Sequence, residues 1–276
     1  MQYTVIFAEK NMEIKNSKTI VVKVGTSTLT HASTGKTNLR IMAKLVSVLA
    51  DLKNEGHQVV LVSSGAVGIG LSKLMINERP KEIKMLQAAA SVGQSELMFL
   101  YDKFFSEYSQ VVAQLLCTKE DIDNEDSKQH FTDTLNQLLE KGVVPIVNEN
   151  DSVSVNELLN GDNDCLSAIV ATLVNADMLF LLTDTNGLYD SDPSKNKDAK
   201  LISVVEKITP EIEVIAGGTS NSSGTGGFAT KIKAAKIATE KNVPVVIING
   251  AKPTKIYRVL NGESVGTLFK AGEKND

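Results

Sequence analysis

The sequence predicts an α/β protein, a three-layer α/β/α sandwich with a mostly parallel central sheet, and three observations predict it. Continuous, mainly apolar and β-branched runs at 19–24, 58–62, 143–147 and 178–182 read as strands buried on both faces, which is how parallel sheets are built. Segments with helical spacing separate these runs, so each strand is followed by a crossover helix. The runs also end abruptly in polar residues, and in open α/β sheets the ligand crevice lies at the carboxyl ends of the strands.

In chain order, residues 1–18 read as an extension before the first strand. Strand 19–24 delivers Lys23, Gly25, Thr26 and Ser27 to its end. A lysine inside a buried strand is costly unless it has a partner or a task, although at a strand end it can also snorkel to water. Met42, Leu45, Val48, Leu49 and Leu52 give 38–55 an apolar helical face, and Gly56 supplies its stop. Strand 58–62 passes through Ser63-Ser64-Gly65-Ala66 directly into a helix at 67–74. Gly65, Gly68 and Gly70 lack the order of a dinucleotide fingerprint and read instead as points of close packing against a neighbouring element or subunit. A long helix at 81–108 around QAAASVGQSE, a strand at 111–116 and a helix at 126–142 lead into strand 143–147. Beyond it come a turn at 156–161, a helix at 165–174 and strand 178–182. The Gly/Ser-rich segment 217–227 reads as a flexible loop that nucleotide would order. A helix at 228–241 and strands at 243–248 and 266–269 complete the chain.

The densest polar stretch joins strand 143–147 to helix 165–174. Asn148, Glu149, Asn150 and Asp151 form the strand tip, while Asp162, Asn163 and Asp164 stand at the cap and first turn of the helix. One helix cap needs one such residue, so capping leaves the remaining carboxylates and amides unexplained and marks a ligand site. Elsewhere, strand tips and helix starts add Lys23, Lys231, Asp184 and Gly/Ser/Thr-rich turns at 25–27 and 224–227. Backbone amides in such turns can cradle phosphate oxygens, and fixed lysines can neutralise the charge of a transferring phosphoryl group. Phosphoryl transfer from a nucleoside triphosphate follows. No Walker A motif supplies it: Gly35-Lys36-Thr37 has Thr30 where the first glycine belongs and follows no apolar strand. Gly224-x-Gly226-x-x-Ala229 likewise follows a Ser/Asn-rich loop instead of a strand. The run from Asp190 lacks the glycine and glutamate of a calcium loop.

Composition narrows the partners. A formal charge of −4, a pI near 5.6, no tryptophan and 5% aromatics provide neither a basic stripe nor a stacking platform, so a small molecule and no nucleic acid is expected. Cys117 and Cys165 are far apart, and His31, His57 and His130 are scattered, which indicates neither a disulfide framework nor a zinc site. The apolar run at 5–8 is broken by Glu9 and Lys10, too short for a signal peptide or a membrane span, so a cytoplasmic location is expected.

Eight stretches, in order, resemble the glutamate kinases of the amino acid kinase family: VVKVGTS (21–27), VSSGAVGIG (62–70), AAASVGQSELM (88–98), VPIVNENDSVS (144–154), GDNDCLSA (161–168), LLTDTNGLYDSDP (181–193), GTGGFATKIKAA (224–235) and ESVGTLF (263–269). Each alone is weak; the ordered set is specific and spans about 20–269. The resemblance implies an amino acid kinase fold over 19–270 with a short tail at 271–276. It also implies ATP-dependent phosphorylation of the γ-carboxylate of L-glutamate, the first step of proline biosynthesis. On it, Lys23 and Lys231 stabilise the transferring phosphoryl group, Asp164 holds them, and Asp162 belongs to the same catalytic set. Ser64, Asn148, Asp151 and Asn163 correspond to the glutamate contacts. Lys23, Gly25, Thr183, Asp184, Thr225, Gly226, Gly227, Phe228, Ala229, Thr230 and Lys231 correspond to the ATP site. Mg2+ is expected with ATP, held mostly by phosphate oxygens and water. A dimer or tetramer, feedback inhibition by proline and functional coupling to glutamyl-phosphate reductase are further expectations. Because the sequence stops soon after Phe269, a short form without the C-terminal RNA-binding-like (PUA) domain of many members is expected. Two other readings stay open at this point. One is a sister kinase acting on N-acetylglutamate, aspartate, carbamate or UMP, and the other is a catalytically silent amino-acid sensor.

Overall fold

A computed structural model describes residues 18–31, 33–154, 163–217 and 227–271. The expected turn at 156–161, most of the Gly/Ser-rich loop, Asp162, Thr225 and Gly226 lie outside the described residues. Strands β1 (Thr19–Val24), β2 (Gln58–Ser63), β3 (Val112–Cys117), β4 (Val144–Glu149), β5 (Met178–Thr183), β6 (Val204–Val205), β7 (Val245–Asn249) and β8 (Thr267–Phe269) form one sheet in the order β3-β4-β2-β1-β5-β7-β8-β6. Every pairing is parallel except β7 with β8. This is the mostly parallel, helix-covered α/β architecture expected from the alternation of elements.

Because successive side chains of a strand point to opposite faces, β1 feeds two separate cores. Ile20, Val22 and Val24 pack with the helix Leu39–Asn54 (α2) and with Leu97, Tyr101 and Phe105. Those three lie on the long helix Ile83–Ser106 (α4). Val21 faces the opposite core, with the helices Asn163–Leu173 (α7) and Phe228–Thr239 (α9). Each fully buried Leu, Ile or Phe contributes about 1.5–3 kcal/mol, which is why unbroken apolar strands hold the middle layer. Lys23 shares the face of Val21. It stands in register between Val62 and Leu181 and therefore turns toward α7 and α9.

Helix Ala66–Lys73 (α3) lies on α4 with backbone contact. A Cβ on Gly70 would come 1.8 Å from the carbonyl oxygen of Ala89, and one on Gly93 1.7 Å from that of Ala66. Of the three glycines read from the sequence as points of close packing, Gly70 makes backbone contact with α4 and Gly68 packs tightly on the Thr26 side chain, whereas a Cβ on Gly65 would meet only ordinary contacts. Gly65, at the N-cap of α3, has φ of 111°, a turn that suits a residue without Cβ.

Several boundaries differ from expectation. The helix expected at 126–142 is found at Glu125–Glu140 (α6), capped by Asn124, and a short helix not expected there precedes it, Lys119–Asp123 (α5), closed by a capping box between Thr118 and Asp121. Strand β4 runs on through Asn148 and Glu149, which pair with Leu116 and Cys117 of β3, so these two polar residues belong to the strand itself. The short elements Thr26–Leu29 (α1), β6, Pro210–Gly217 (α8) and Lys255–Leu260 (α10) carry too few residues for a periodic pattern and escaped the sequence reading.

Candidate active site

Parallel register brings the strand ends to one edge of the sheet. Val24 lies opposite Ser63 and Leu182, Val62 opposite Val147, and Thr183 opposite Asn249. Lys23, Ser64, Asn148 and Thr183 consequently share one rim, and the N-terminus of α7 arrives there with Asn163 and Asp164 in its first turn.

At the centre is Asp164, 1% exposed. Its Oδ1 meets Lys23 Nζ at 2.7 Å, and its Oδ2 meets Lys231 Nζ at 3.2 Å. Thr230 Oγ1 donates to the same Oδ2 at 2.7 Å. Both lysines are themselves nearly buried, at 7% and 9% exposure. Burial alone would raise the Asp164 pKa. The ammonium charges of Lys23 and Lys231, with hydrogen bonds from Lys23 and Thr230, outweigh it and hold the carboxyl well below the usual range. Two ammoniums around one carboxylate leave a surplus positive charge in a shielded site, an arrangement that suits an anion.

Beside this triad lies a corner of amides. Asn163 Nδ2 donates to Ser64 Oγ at 2.9 Å and to Asn148 Oδ1 at 2.8 Å. Asn148 Nδ2 in turn donates to Gln94 Oε1 at 2.9 Å. Asp151, just past the end of β4, is buried with no hydrogen-bond partner on Oδ1. Its pKa is pushed up to about 7, first by burial and then by the Glu149 charge, against a smaller lowering by Arg79.

On the other side of the triad, Gly25 caps α1, and a Cβ there would lie 3.5 Å from Lys23 Nζ. Thr183 is buried, its Oγ1 donating to Asp184 Oδ1 at 3.1 Å, while Asp184 faces solvent. Gly227 begins α9 without a side-chain cap, so Phe228 and Ala229 present open N–H groups in the first turn of the helix next to Lys231, while the Thr230 N–H donates to the Gly227 carbonyl at 3.2 Å. Every site residue read from the sequence that is described therefore sits on this rim. Gln94 was missed, because a lone glutamine in a run of small residues reads as helix surface until Asn148 is placed against it. Thr230, expected in the ATP loop, bonds Asp164.

Among the described residues no helix is long and apolar enough to cross a membrane. A profile described as the amino acid kinase family matches residues 18–249. A glutamate 5-kinase from Clostridium perfringens is 52% identical over 262 residues, covering 94% of this chain and 97% of its own. One from Listeria monocytogenes serotype 4a is 52% identical over 260 residues, covering 93% and 94%. For one from Moorella thermoacetica the identity is 52% over 261 residues, covering 95% of this chain and 69% of that one. X-ray structures of isopentenyl phosphate kinase share the fold, with a TM-score of 0.61 at 18% identity over 91% of this chain. With the profile spanning most of the chain and about half of the aligned residues identical, the chain belongs to the amino acid kinase family, in the group of glutamate 5-kinases.

Proposed function

We propose that this chain transfers the γ-phosphoryl group of ATP to the γ-carboxylate of L-glutamate, giving L-glutamyl 5-phosphate and ADP, the first step of proline biosynthesis. The observation that carries the proposal is the buried triad with its surplus charge: Lys23 and Lys231 held on opposite oxygens of Asp164. The kinship with glutamate 5-kinases supports the choice of acceptor.

In the reaction a γ-carboxylate oxygen attacks the γ-phosphorus, the new O–P bond forms, and the bond to the β,γ-bridging oxygen breaks with its electron pair leaving on ADP. A glutamate side chain has a pKa of about 4.3 and is already ionised at neutral pH, so no general base is needed. The barrier lies in bringing anions together. Lys23 and Lys231 neutralise the charge spread over the transferring oxygens, and Asp164 fixes both ammoniums so that they need not reorganise. The open first turn of α9 adds N–H donors for phosphate oxygens. In the amide corner, Asp151 supplies a carboxylate for the substrate ammonium, and Asn148, Asn163 and Ser64 orient the rest of the amino acid.

Among the described residues no group of three or more His, Cys, Asp or Glu side chains could hold a metal ion. Asp164 is engaged by Lys23, Lys231 and Thr230, which leaves it poorly placed to ligate one. These residues fit a metal carried on the nucleotide better than a protein-built cage. When bound with ATP, Mg2+ would neutralise phosphate charge.

An ATP-consumption assay with glutamate, N-acetylglutamate and aspartate tests the proposal. Acetylation removes the ammonium and leaves Asp151 without a partner, so kcat/KM for N-acetylglutamate should be at least ~10²-fold below that for glutamate. Aspartate, one methylene shorter, holds its carboxylate too far from the phosphorus for in-line attack and should also be poor. Equal use of either competitor, or no turnover with glutamate, would overturn the assignment.

A further inference from the structure

We infer that Gln94 is a further substrate-binding residue, donating from Nε2 to the α-carboxylate of the amino-acid acceptor while its Oε1 fixes Asn148. The inference deepens the proposed function and rests on the amide corner being the acceptor site.

Gln94 is 8% exposed and lies on α4, directly after Gly93. The backbone contact of Gly93 with Ala66 pins this part of the helix against α3, so the Cα of Gln94 has little freedom to shift. Its Oε1 is used by Asn148, but its Nε2 is closed to water and has no partner. Two other buried atoms of the same corner are also unpartnered, Asp151 Oδ1 and Asn163 Oδ1. Buried polar side-chain atoms are normally bonded, so two unbonded ones on a single hydrogen-bonded chain, with a third on Asp151 just past the strand that carries Asn148, ask for a ligand. Their chemistry specifies it. Two oxygens, one of them on a carboxylate, accept from an ammonium, and one amide N–H group donates to a carboxylate. An α-amino acid presents both groups on one carbon.

A glutamine that served only to support Asn148 would need its oxygen and not its amide nitrogen. The two roles are separable by substitution. Gln94→Glu keeps an oxygen to accept from Asn148 but puts a second oxygen where the donor stood. Gln94→Met keeps the length and removes both. Kinetics of the full chain would be measured for glutamate and ATP, with melting of the ligand-free protein as the check on folding. Gln94→Glu should raise the glutamate KM by at least ~30-fold, because a carboxylate then faces a carboxylate, with the ATP KM within ~2-fold of wild type. Gln94→Met should raise the glutamate KM by ~10-fold. Neither change should weaken inhibition by 4-aminobutyrate, which is glutamate without its α-carboxylate, by more than ~2-fold. A glutamate KM for Gln94→Glu within ~2-fold of wild type, or an equal penalty on 4-aminobutyrate, would overturn the inference. If Gln94→Glu does not fold, the comparison of glutamate with 4-aminobutyrate on Gln94→Met decides alone. Failure of the proposed reaction reads out separately, as absence of glutamate turnover by the wild-type chain; glutamate binding by calorimetry to wild type and Gln94→Met would still report on Gln94.

Discussion

Asp164 and Asp151 are both buried aspartates on the same rim of the sheet, and their surroundings push them in opposite directions. Asp164 is clasped by two lysines and a threonine and stays ionised below the usual range. Asp151 has a bare oxygen, a neighbouring carboxylate in Glu149, and a pKa pushed up to about 7. The first half of the site is complete before any ligand arrives, as suits groups that must meet charge developing in a transition state without reorganising. The second half is unfinished, as suits groups whose partner is carried by the substrate. On the proposed function, preorganisation and recognition are divided between these two carboxylates, and Asn163, which neighbours Asp164 in the chain, reaches the acceptor side by bonding Ser64 and Asn148.

The largest expected effect breaks the charged half. Replacing Lys23 or Lys231 by Ala should lower kcat at least ~10²-fold, with smaller changes in either KM, because the lost interaction is strongest in the transition state. Steady-state kinetics on folded variants would check this, and a near-normal kcat would remove the distinction between the two halves.

A second expectation sharpens the unfinished half and concerns pH. The Asp151 pKa rises from an ordinary 3.8 to about 7 in the folded, ligand-free protein. Between those values the folded state keeps a proton that the unfolded chain has already lost. The contribution of Asp151 to stability is therefore fully present below about pH 4, declines as pH rises, and is gone above about pH 7, a change on the order of 4 kcal/mol. Asp151→Asn should remove most of this slope from ligand-free melting curves and leave the protein more stable than wild type at pH 8. The same variant should raise the glutamate KM far more than the ATP KM. In the wild type, stabilisation by glutamate should grow as pH passes upward through about 7, since the ammonium seeks the ionised form. A flat wild-type profile would mean that Asp151 is not the desolvated partner described.

The smallest effect is the control. Lys36 belongs to a Gly-Lys-Thr triplet that the fold places in an exposed turn, where His31 N–H donates to the Lys36 carbonyl at 2.8 Å and Thr30 pairs with Thr37. Lys36→Ala should leave kcat and both KM values within ~2-fold of wild type in the same assay.

Much of this was legible in the chain itself. Apolar runs fix where strands lie because a parallel strand is buried on both faces, and the abrupt change from Val147 to Asn148 marks the approach to a strand end, which the structure puts two residues later, after Glu149. Lys23 inside β1 asked for a partner or a task, because an unpaired buried ammonium is costly, with snorkelling to water as the other reading, and the ion pair with Asp164 decides between them. What the sequence alone could not decide is which groups meet across the sheet. Side-chain alternation in β1 and the strand order β2-β1-β5 turn Lys23 toward α7 and α9, and so join residues 23, 164 and 231 on a single carboxylate. The same holds for Gln94, whose hydrogen bond with Asn148 depends on two glycines that let α3 and α4 touch backbone to backbone and bring an amide from mid-helix against the tip of β4. Local pattern is written residue by residue in burial and period; the pairing of distant polar groups depends on sheet order and helix approach, and only the folded chain sets these.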